Sequence, residues 1–202
     1  FDGIAIRNYL QQIYPGKVEG NLTIWKDVIG GEKYVIGVDV AAGKLKGDYS
    51  VAAVLNVKRN EYVACLRGRI PPDLFTQDLL RLGQRYNMAQ IGVERTGHGF
   101  LVLRTLLENS YPDIYYHLDF DSAMQLPSSE PGWKTSIKTK PIMIGDLGTQ
   151  LRSNSLGLWS ENFLIEASAM TWEGQESIRT PSGGHDDEFM AVAIAIQVRE
   201  TS

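Results

Sequence analysis

Two hydrophobic patterns follow one another along the chain. Short runs of apolar, mostly β-branched residues are typical of buried strands. Such runs predict strands over residues 34–41, 49–57, 61–70, 89–94 and 113–118. Asn60 lies between the second and third runs as a turn residue, which predicts a β-hairpin there.

The second pattern places apolar residues three or four positions apart, as in helices that bury one face. It predicts helices over residues 71–87, 100–110, 140–154 and 185–200. Prolines, serines and glycines predict loops over residues 119–137 and 174–184. The order of these segments predicts an α/β fold, in which helices lie on the faces of a mixed central sheet.

The start of the chain has a weaker pattern. Residues 1–33 combine a weakly amphipathic segment with glycine-containing stretches, and we expect them to be a lead-in from a preceding domain. Residues 34–202 are then expected to form one folded domain. The chain opens on Phe1, which indicates a piece of a longer protein or a chain that lacks its start.

Composition narrows the classes of protein. A chain that is 43% hydrophobic and 22% charged has the composition of a folded globular protein, not of a disordered one. The net charge of −4 excludes a globally basic surface, so a nucleic-acid partner would need a local basic patch. Cys65 is the one cysteine, which excludes an intrachain disulfide and favours a reducing compartment. No apolar run reaches the roughly 18–20 residues of a membrane span.

The segment Gly37–Ser50, "GVDVAAGKLKGDYS", resembles a phosphate-binding loop at first sight. Such a loop needs four residues between its glycines, and a hydroxyl residue after its lysine. Here five residues separate Gly37 from Gly43, and Leu45 follows Lys44. Asp39 would also repel phosphate oxygens inside the loop. These mismatches exclude a P-loop, whereas an actin-like or sugar-kinase-like phosphate loop stays as a weaker competitor.

Carboxylates at strand ends give a different interpretation. Asp39 ends an apolar strand, where a charge is costly to bury unless it is paired or binds a cation. Taken alone, hydrogen bonding within the following turn explains Asp39 equally well. Glu94 ends a second apolar strand in the same way, and both acids precede glycine-containing loops. Two such strand ends favour a shared function.

A third group of acids begins the last predicted helix. Asp186 and Asp187 follow His185 in "GGHDDEF". One aspartate here would be an ordinary cap of the helix N-terminus. A pair that leads into an apolar helix favours function instead. Acids from two strands and one helix are what two Mg²⁺ ions need, because Mg²⁺ prefers carboxylate and water oxygens.

These residues resemble a known family. The segments "YVIGVDVAAGKLKGDYSVAAVL", "IGVERTGHG", "GWKTSIKTKPIMIGDL" and "GGHDDEFMAVAIAI" are similar to the C-terminal nuclease domain of the large terminase subunit of tailed bacteriophages. The resemblance covers roughly residues 34–199. The single Asp39 is a weak signal, whereas the ordered set of four segments is specific.

The resemblance implies an RNase H-like fold, with helices on both faces of the mixed sheet. It implies an endonuclease that uses two divalent cations, Mg²⁺ or Mn²⁺, to cut concatemeric double-stranded viral DNA with little sequence specificity. The family's catalytic, metal-binding acids map onto Asp39, Glu94, Asp186 and Asp187. Asp48 matches a recurrent acid of the first loop and is expected near the site, outside the direct ligands. His185 is an auxiliary candidate that orients a water or a phosphate.

The resemblance also implies partners. These are double-stranded DNA, an ATPase motor domain of the same full-length chain, the small terminase subunit and the portal, in the cytoplasm of an infected bacterium and away from membranes. The DNA would be gripped through its phosphates by local cations. The candidates are Lys44, Lys46, Arg67, Arg69, Lys134, Lys138 and Lys140. Each lysine taken alone is better explained as a solvated surface charge.

Other functions use similar residues. Junction resolvases and integrases share the carboxylate chemistry, but the "GW-T…K" segment together with the HDD helix favours a terminase. An actin-like or sugar-kinase-like ATPase would need a second glycine-rich phosphate loop. A catalytically idle DNA-binding or assembly domain would keep the acids without cutting DNA. Metal-dependent nicking of plasmid DNA distinguishes a nuclease from the ATPase and from the catalytically idle domain.

Overall fold

The computed structural model describes residues 2–121, 126–173, 177–179 and 184–201, with the main chain alone for 119–121, 126–127, 172–173 and 177–179. Its strands are β1 Lys17–Glu19, β2 Leu22–Ile24, β3 Tyr34–Asp39, β4 Ser50–Asn56, β5 Glu61–Gly68, β6 Gln90–Val93, β7 Tyr116–Asp121, β8 Leu126–Pro131, β9 Thr171–Glu173 and β10 Ser177–Arg179. Its helices are α1 Gly3–Leu10, α2 Pro72–Arg85, α3 Gly99–Glu108, α4 Thr139–Arg152, α5 Glu161–Ala169 and α6 Asp187–Arg199.

A six-stranded mixed sheet forms the centre, in the order β1-β2-β5-β4-β3-β6. Its pairs are antiparallel except for β3 and β6, which run parallel. Helix α6 packs on one face of the sheet together with α4 and α5, and helices α2 and α3 cover the other face. The predicted α/β fold, with helices on both faces of a mixed sheet, is therefore confirmed.

The strongly patterned segments fold as predicted. Strands β3 to β6 and helices α2, α3, α4 and α6 lie within the predicted ranges or one residue beyond them. Their apolar residues fill both core layers, because alternate residues of the central strands face opposite sides of the sheet. None of the helices in the described ranges is long and apolar enough to cross a membrane.

Two weakly patterned regions fold differently from the prediction. The loop predicted over 119–137 contains β8, which pairs with β7 as a hairpin. The segment "LPSSEP" has little strand propensity, and its structure comes from the pairing partner. The loop predicted over 174–184 contains the short strand β10, and the rest of that range, except Gly184, lies outside the described residues.

The lead-in segment belongs to the folded unit. Strands β1 and β2 extend the central sheet beyond β5. Tyr9 of helix α1 is fully buried, and its hydroxyl donates a 2.8 Å hydrogen bond to the carbonyl oxygen of Leu156. Residues 3–24 thus pack on the domain predicted over 34–202, while the connection to a preceding motor domain stays a prediction.

Gly37 lets helix α6 approach the sheet closely. A Cβ atom at Gly37 would lie 2.1 Å from the carbonyl oxygen of Ala191 and 2.3 Å from the amide nitrogen of Ala195, both main-chain atoms of α6. We expect Gly37→Ala to lower the free energy of unfolding by about 3 kcal/mol or more, because a helix backbone cannot yield as a side chain does.

Urea denaturation of Gly37→Ala and Gly145→Ala forms a matched test. A Cβ at Gly145 meets no atom within 4 Å, so in helix α4 this change should stabilise the protein by up to about 1 kcal/mol. Equal effects of the two substitutions would contradict close packing of α6 on β3.

Candidate metal centre

Two acids meet at the ends of neighbouring parallel strands. Asp39 is the last residue of β3, and Glu94 directly follows β6. Val38 pairs with Val93, and the Glu94 amide donates a 2.9 Å hydrogen bond to the Val38 carbonyl oxygen. The two carboxyl groups are close enough for the charge of Glu94 to raise the pKa of Asp39. Parallel pairing without an offset therefore brings the two predicted strand-end acids together.

The start of helix α6 supplies the other two predicted acids. Asp187 is the first residue of the helix and is buried, whereas Asp186 precedes it and is half-buried. Asp186 makes no side-chain capping hydrogen bond, so ordinary capping does not explain its presence. The charges of both aspartates act on Asp39. The structure thus gathers Asp39, Glu94, Asp186 and Asp187 in one place.

The electrostatics of this group favour a bound cation. Burial raises the pKa of Asp39 well above its usual range, and the charges of Glu94, Asp187 and Asp186 raise it further. Burial also raises the pKa of Asp187, although the Tyr49 amide lowers it by donating a 3.0 Å hydrogen bond to Oδ2. Without a cation, ionising these carboxyl groups costs free energy, because like charges repel strongly at low dielectric.

Asp48 and His185 join Asp187 at the edge of the group. The His185 Nδ1 atom lies 3.4 Å from Asp48 Oδ1 and 3.4 Å from Asp187 Oδ2. One ligand atom of each residue lies within 4.8 Å of the others, as around a shared cation. The Nδ1 atom is buried and has no hydrogen-bond partner among the described residues. Carboxylate oxygens with one imidazole nitrogen fit a divalent cation.

The predicted DNA-contacting cations lie in two settings. Lys44 and Lys46 are exposed in the loop that follows Asp39. Lys134 and Lys138 are exposed and Lys140 is half-buried, in the segment after Trp133, which forms a bridge with Glu94. Both lysine groups thus belong to chain segments that leave the acidic centre.

The two arginines contact protein groups instead. The Arg69 Nε donates a 2.8 Å hydrogen bond to the Gly47 carbonyl oxygen. Arg67 faces two buried acids, Glu166 at 3.7 Å and Glu188 at 3.9 Å. Arg69 therefore contacts the loop before Tyr49, and Arg67 faces one acid of helix α5 and one of helix α6. The predicted contact of both arginines with DNA stays a prediction.

The sequence reasoning missed three residues next to the centre: Tyr49, Glu166 and Glu188. Glu188 was visible in "HDDEF", but an acid in the first turn of a helix is ordinary. Glu166 lies in the apolar segment "FLIEASA". An acid among apolar residues indicates a buried carboxylate, and this signal was present in the sequence. The role of Tyr49 depends on its main-chain amide and has no signal in the sequence.

The acid Glu166 predicts a pH dependence of stability. Burial raises its pKa to about 7, and the Phe189 amide and Arg67 lower it only in part. The folded state then holds this proton more tightly than the unfolded chain does, so stability falls as pH rises from about 4.5 towards 7. We expect Glu166→Gln to lose less stability than wild type between pH 5 and pH 8, in urea denaturation without metal. An unchanged slope would contradict the burial of an ionisable Glu166.

Solved structures that match this fold include nuclease domains of phage large terminases. The large terminase nuclease from thermophilic phage G20c with bound cobalt matches at a TM-score of 0.73 and 20% identity, over 95% of this chain and 96% of that chain. Its magnesium-bound form matches at 0.72 and 19%, over 95% and 96%. The Thermus phage P74-26 large terminase nuclease domain matches at 0.71 and 19%, over 94% and 93%.

No protein-family model and no curated protein sequence matches the chain. The structural matches span nearly the whole of each chain. They confirm the predicted RNase H-like fold, that of a terminase nuclease domain. At identities near 20% these matches show the fold alone.

Proposed function

We propose that this chain is a divalent-cation-dependent endonuclease domain that cuts double-stranded DNA, as the nuclease part of a phage large terminase. The observation that carries the proposal is the convergence of Asp39, Glu94 and the Asp186–Asp187 pair, in which Asp39 has a strongly raised pKa. A group of partly buried acids with this much mutual repulsion is typical of a functional metal centre. The terminase nuclease fold supports the same assignment.

The residues divide into two neighbouring cation-binding sets. Asp39 and Glu94 lie at the ends of neighbouring parallel strands and would hold one cation. Asp187 would hold the second, with Asp48 and His185 beside it. Asp186 interacts electrostatically with Asp39 and adds negative charge to the centre. Mg²⁺ and Mn²⁺ are the proposed cations, since carboxylate oxygens dominate the donor set. When bound, they would activate the attacking water and stabilise the leaving oxygen of a phosphodiester.

The protein residues position the other reactants. The Tyr49 amide fixes one oxygen of Asp187, and the Tyr49 ring stands edge-on to the His185 ring at a centroid distance of 5.3 Å. The exposed lysines Lys44, Lys46, Lys134 and Lys138, with half-buried Lys140, would bind phosphates next to the acids. Such contacts are insensitive to base sequence, so we propose cutting with little sequence preference.

The biological setting follows from this function and is part of the proposal. The substrate would be concatemeric viral DNA in the cytoplasm of an infected bacterium. An ATPase motor domain of the same full-length chain, the small terminase subunit and the portal would be the partners. We expect the isolated domain to bind DNA weakly and in a salt-sensitive way, because phosphate contacts alone are lost as salt rises.

Nicking of supercoiled plasmid tests the proposed function. Wild type, Asp39→Ala, Asp187→Ala and the exposed control Asp146→Asn are incubated with Mn²⁺ or Mg²⁺, and with EDTA. Wild type and the control should convert supercoiled into relaxed and linear DNA with metal only, and the two site variants should not. Absence of metal-dependent nicking by wild type, or undiminished nicking by both site variants, would overturn the proposal.

A further inference from the structure

We infer that Arg67 is a positioning residue for the acidic centre: its guanidinium fixes the Tyr49 ring, and the Tyr49 amide in turn orients Asp187. Arg67 lies on β5 opposite Val51 of β4, two residues beyond Tyr49. It touches none of Asp39, Glu94, Asp186 or Asp187 in the described contacts. Its effect on cation binding rests on the proposed function, whereas its effect on Tyr49 does not.

Two buried glutamates hold the Arg67 guanidinium. Its Nη2 atom lies 3.7 Å from Glu166 Oε1, and its Nε atom lies 3.9 Å from Glu188 Oε2. The side chain of Arg67 is 21% exposed, and those of Glu166 and Glu188 are 6% and 1% exposed. Two buried acids need a nearby positive charge, because an unpaired buried charge is strongly destabilising. Arg67 supplies that charge at ion-pair distance from both glutamates, without a hydrogen bond to either among the described residues.

The glutamates are themselves fixed to the start of helix α6. Glu166 Oε2 accepts a 2.8 Å hydrogen bond from the Phe189 amide in the first turn. Glu188 Oε1 accepts a 3.0 Å hydrogen bond from the Tyr62 hydroxyl and a further one from the Ser160 hydroxyl. Both glutamates that face the Arg67 guanidinium therefore contact or belong to the first turn of helix α6, which also carries Asp187.

The Arg67 guanidinium stacks on the Tyr49 ring and so fixes where the ring lies. Its Cζ atom lies 3.5 Å from the centre of the Tyr49 ring, and Arg69 Cζ lies 4.1 Å from the same centre. The Tyr49 amide donates the 3.0 Å hydrogen bond to Asp187 Oδ2. The ring is therefore held by Arg67 while the main chain of the same residue holds the carboxylate. Gly47 and exposed Asp48 form the end of a loop that precedes Tyr49. The stacked Tyr49 ring fixes this end of the loop.

The chemistry requires a guanidinium at this position. Its planar, delocalised charge stacks on an aromatic face and faces two carboxylates at once, and a lysine ammonium does not do both. Arg67→Lys keeps the charge between the glutamates but removes the stacking surface. Arg67→Met removes both. Comparing the two separates the neutralisation of buried charge from the positioning of Tyr49.

The experiment measures two quantities in metal-free protein and one with metal. Hydrogen exchange of the Tyr49 amide is followed by NMR, folding by circular dichroism, and Mn²⁺ binding by titration calorimetry. In Arg67→Lys we expect folded protein, exchange of the Tyr49 amide at least about 10-fold faster than wild type, and Mn²⁺ binding about 10- to 100-fold weaker. Arg59→Met, which removes an ion pair with Glu32, is the control and should leave all three unchanged.

Each outcome decides the inference. Wild-type exchange of the Tyr49 amide and wild-type Mn²⁺ affinity in a folded Arg67→Lys would overturn it. If Arg67→Met does not fold, Tyr49→Leu keeps Arg67 and both glutamates and must reproduce the weaker Mn²⁺ binding, or the inference fails. If wild type shows no metal-dependent nicking, the proposed function fails, while Tyr49 exchange still supports or refutes the role of Arg67.

Discussion

Asp39→Asn is expected to reduce metal-dependent DNA nicking by at least about 1,000-fold and, at the same time, to stabilise the metal-free protein. The loss follows because Asp39 is the acid on which the charges of Glu94, Asp186 and Asp187 all act. A metal contributes several kcal/mol to stabilising charge in the transition state, and each 1.4 kcal/mol is a factor of about ten in rate. Asparagine keeps the size of the side chain but not its charge.

The gain in stability has an electrostatic origin. Burial and three neighbouring acids raise the pKa of Asp39, so the folded state holds this proton more tightly than the unfolded chain. The contribution of Asp39 to stability is therefore lost as pH rises from about 4 towards the raised folded-state pKa. At pH 7.5 without metal, wild type carries this cost and Asp39→Asn does not. Added Mn²⁺ should stabilise wild type far more than the variant.

Thermal unfolding with EDTA and with Mn²⁺, together with plasmid nicking, measures both effects. Asp146→Asn, an exposed aspartate of helix α4, should match wild type in all three measurements. A lower unfolding temperature for metal-free Asp39→Asn would contradict mutual repulsion among the acids. Nicking within about 10-fold of wild type would remove Asp39 from the catalytic set.

Asp187→Asn should lower the nicking rate by about 100-fold or more, and Asp186→Asn by about 10-fold. Neighbours in sequence, the two aspartates differ in their surroundings. Asp187 is buried, accepts the Tyr49 amide and lies 3.4 Å from His185 Nδ1. Asp186 is half-buried and makes no capping hydrogen bond. A buried carboxylate that a main-chain amide holds in place is preorganised to bind a cation, and its loss is the more damaging.

Single-turnover nicking rates over a range of Mn²⁺ concentrations measure this difference. For Asp187→Asn we expect a lower maximal rate and a higher half-saturating Mn²⁺ concentration. For Asp186→Asn the half-saturating concentration should change less than the maximal rate, since its charge acts on Asp39 through space. Equal losses, or a larger loss for Asp186→Asn, would contradict the assignment of Asp187 as the primary acid.

Sequence patterns predicted the structure correctly where it depends on residues that are close together in the chain. The alternation of β3 puts Val38 in one core layer and Asp39 on the α6 side, and the same alternation in β6 applies to Val93 and Glu94. Asp39 and Glu94 could be selected from the sequence because each follows an apolar strand segment, and Asp186 and Asp187 because they begin an apolar helix. The β7–β8 hairpin could not be predicted, because β8 is a strand only through its partner.

The chain by itself determined the strongly patterned elements, β3 to β6 and helices α2, α3, α4 and α6, and the acids at their ends, because strand and helix periodicity depends on near neighbours along the sequence. Only the tertiary structure decided what Arg67 does. The sequence predicts a surface cation of a hairpin at this position. In the structure Arg67 faces Glu166 and Glu188, which lie about 100 or more positions further along the chain. Charges are neutralised by whichever groups the fold brings within a few ångströms, and that proximity is a property of packing, not of local pattern.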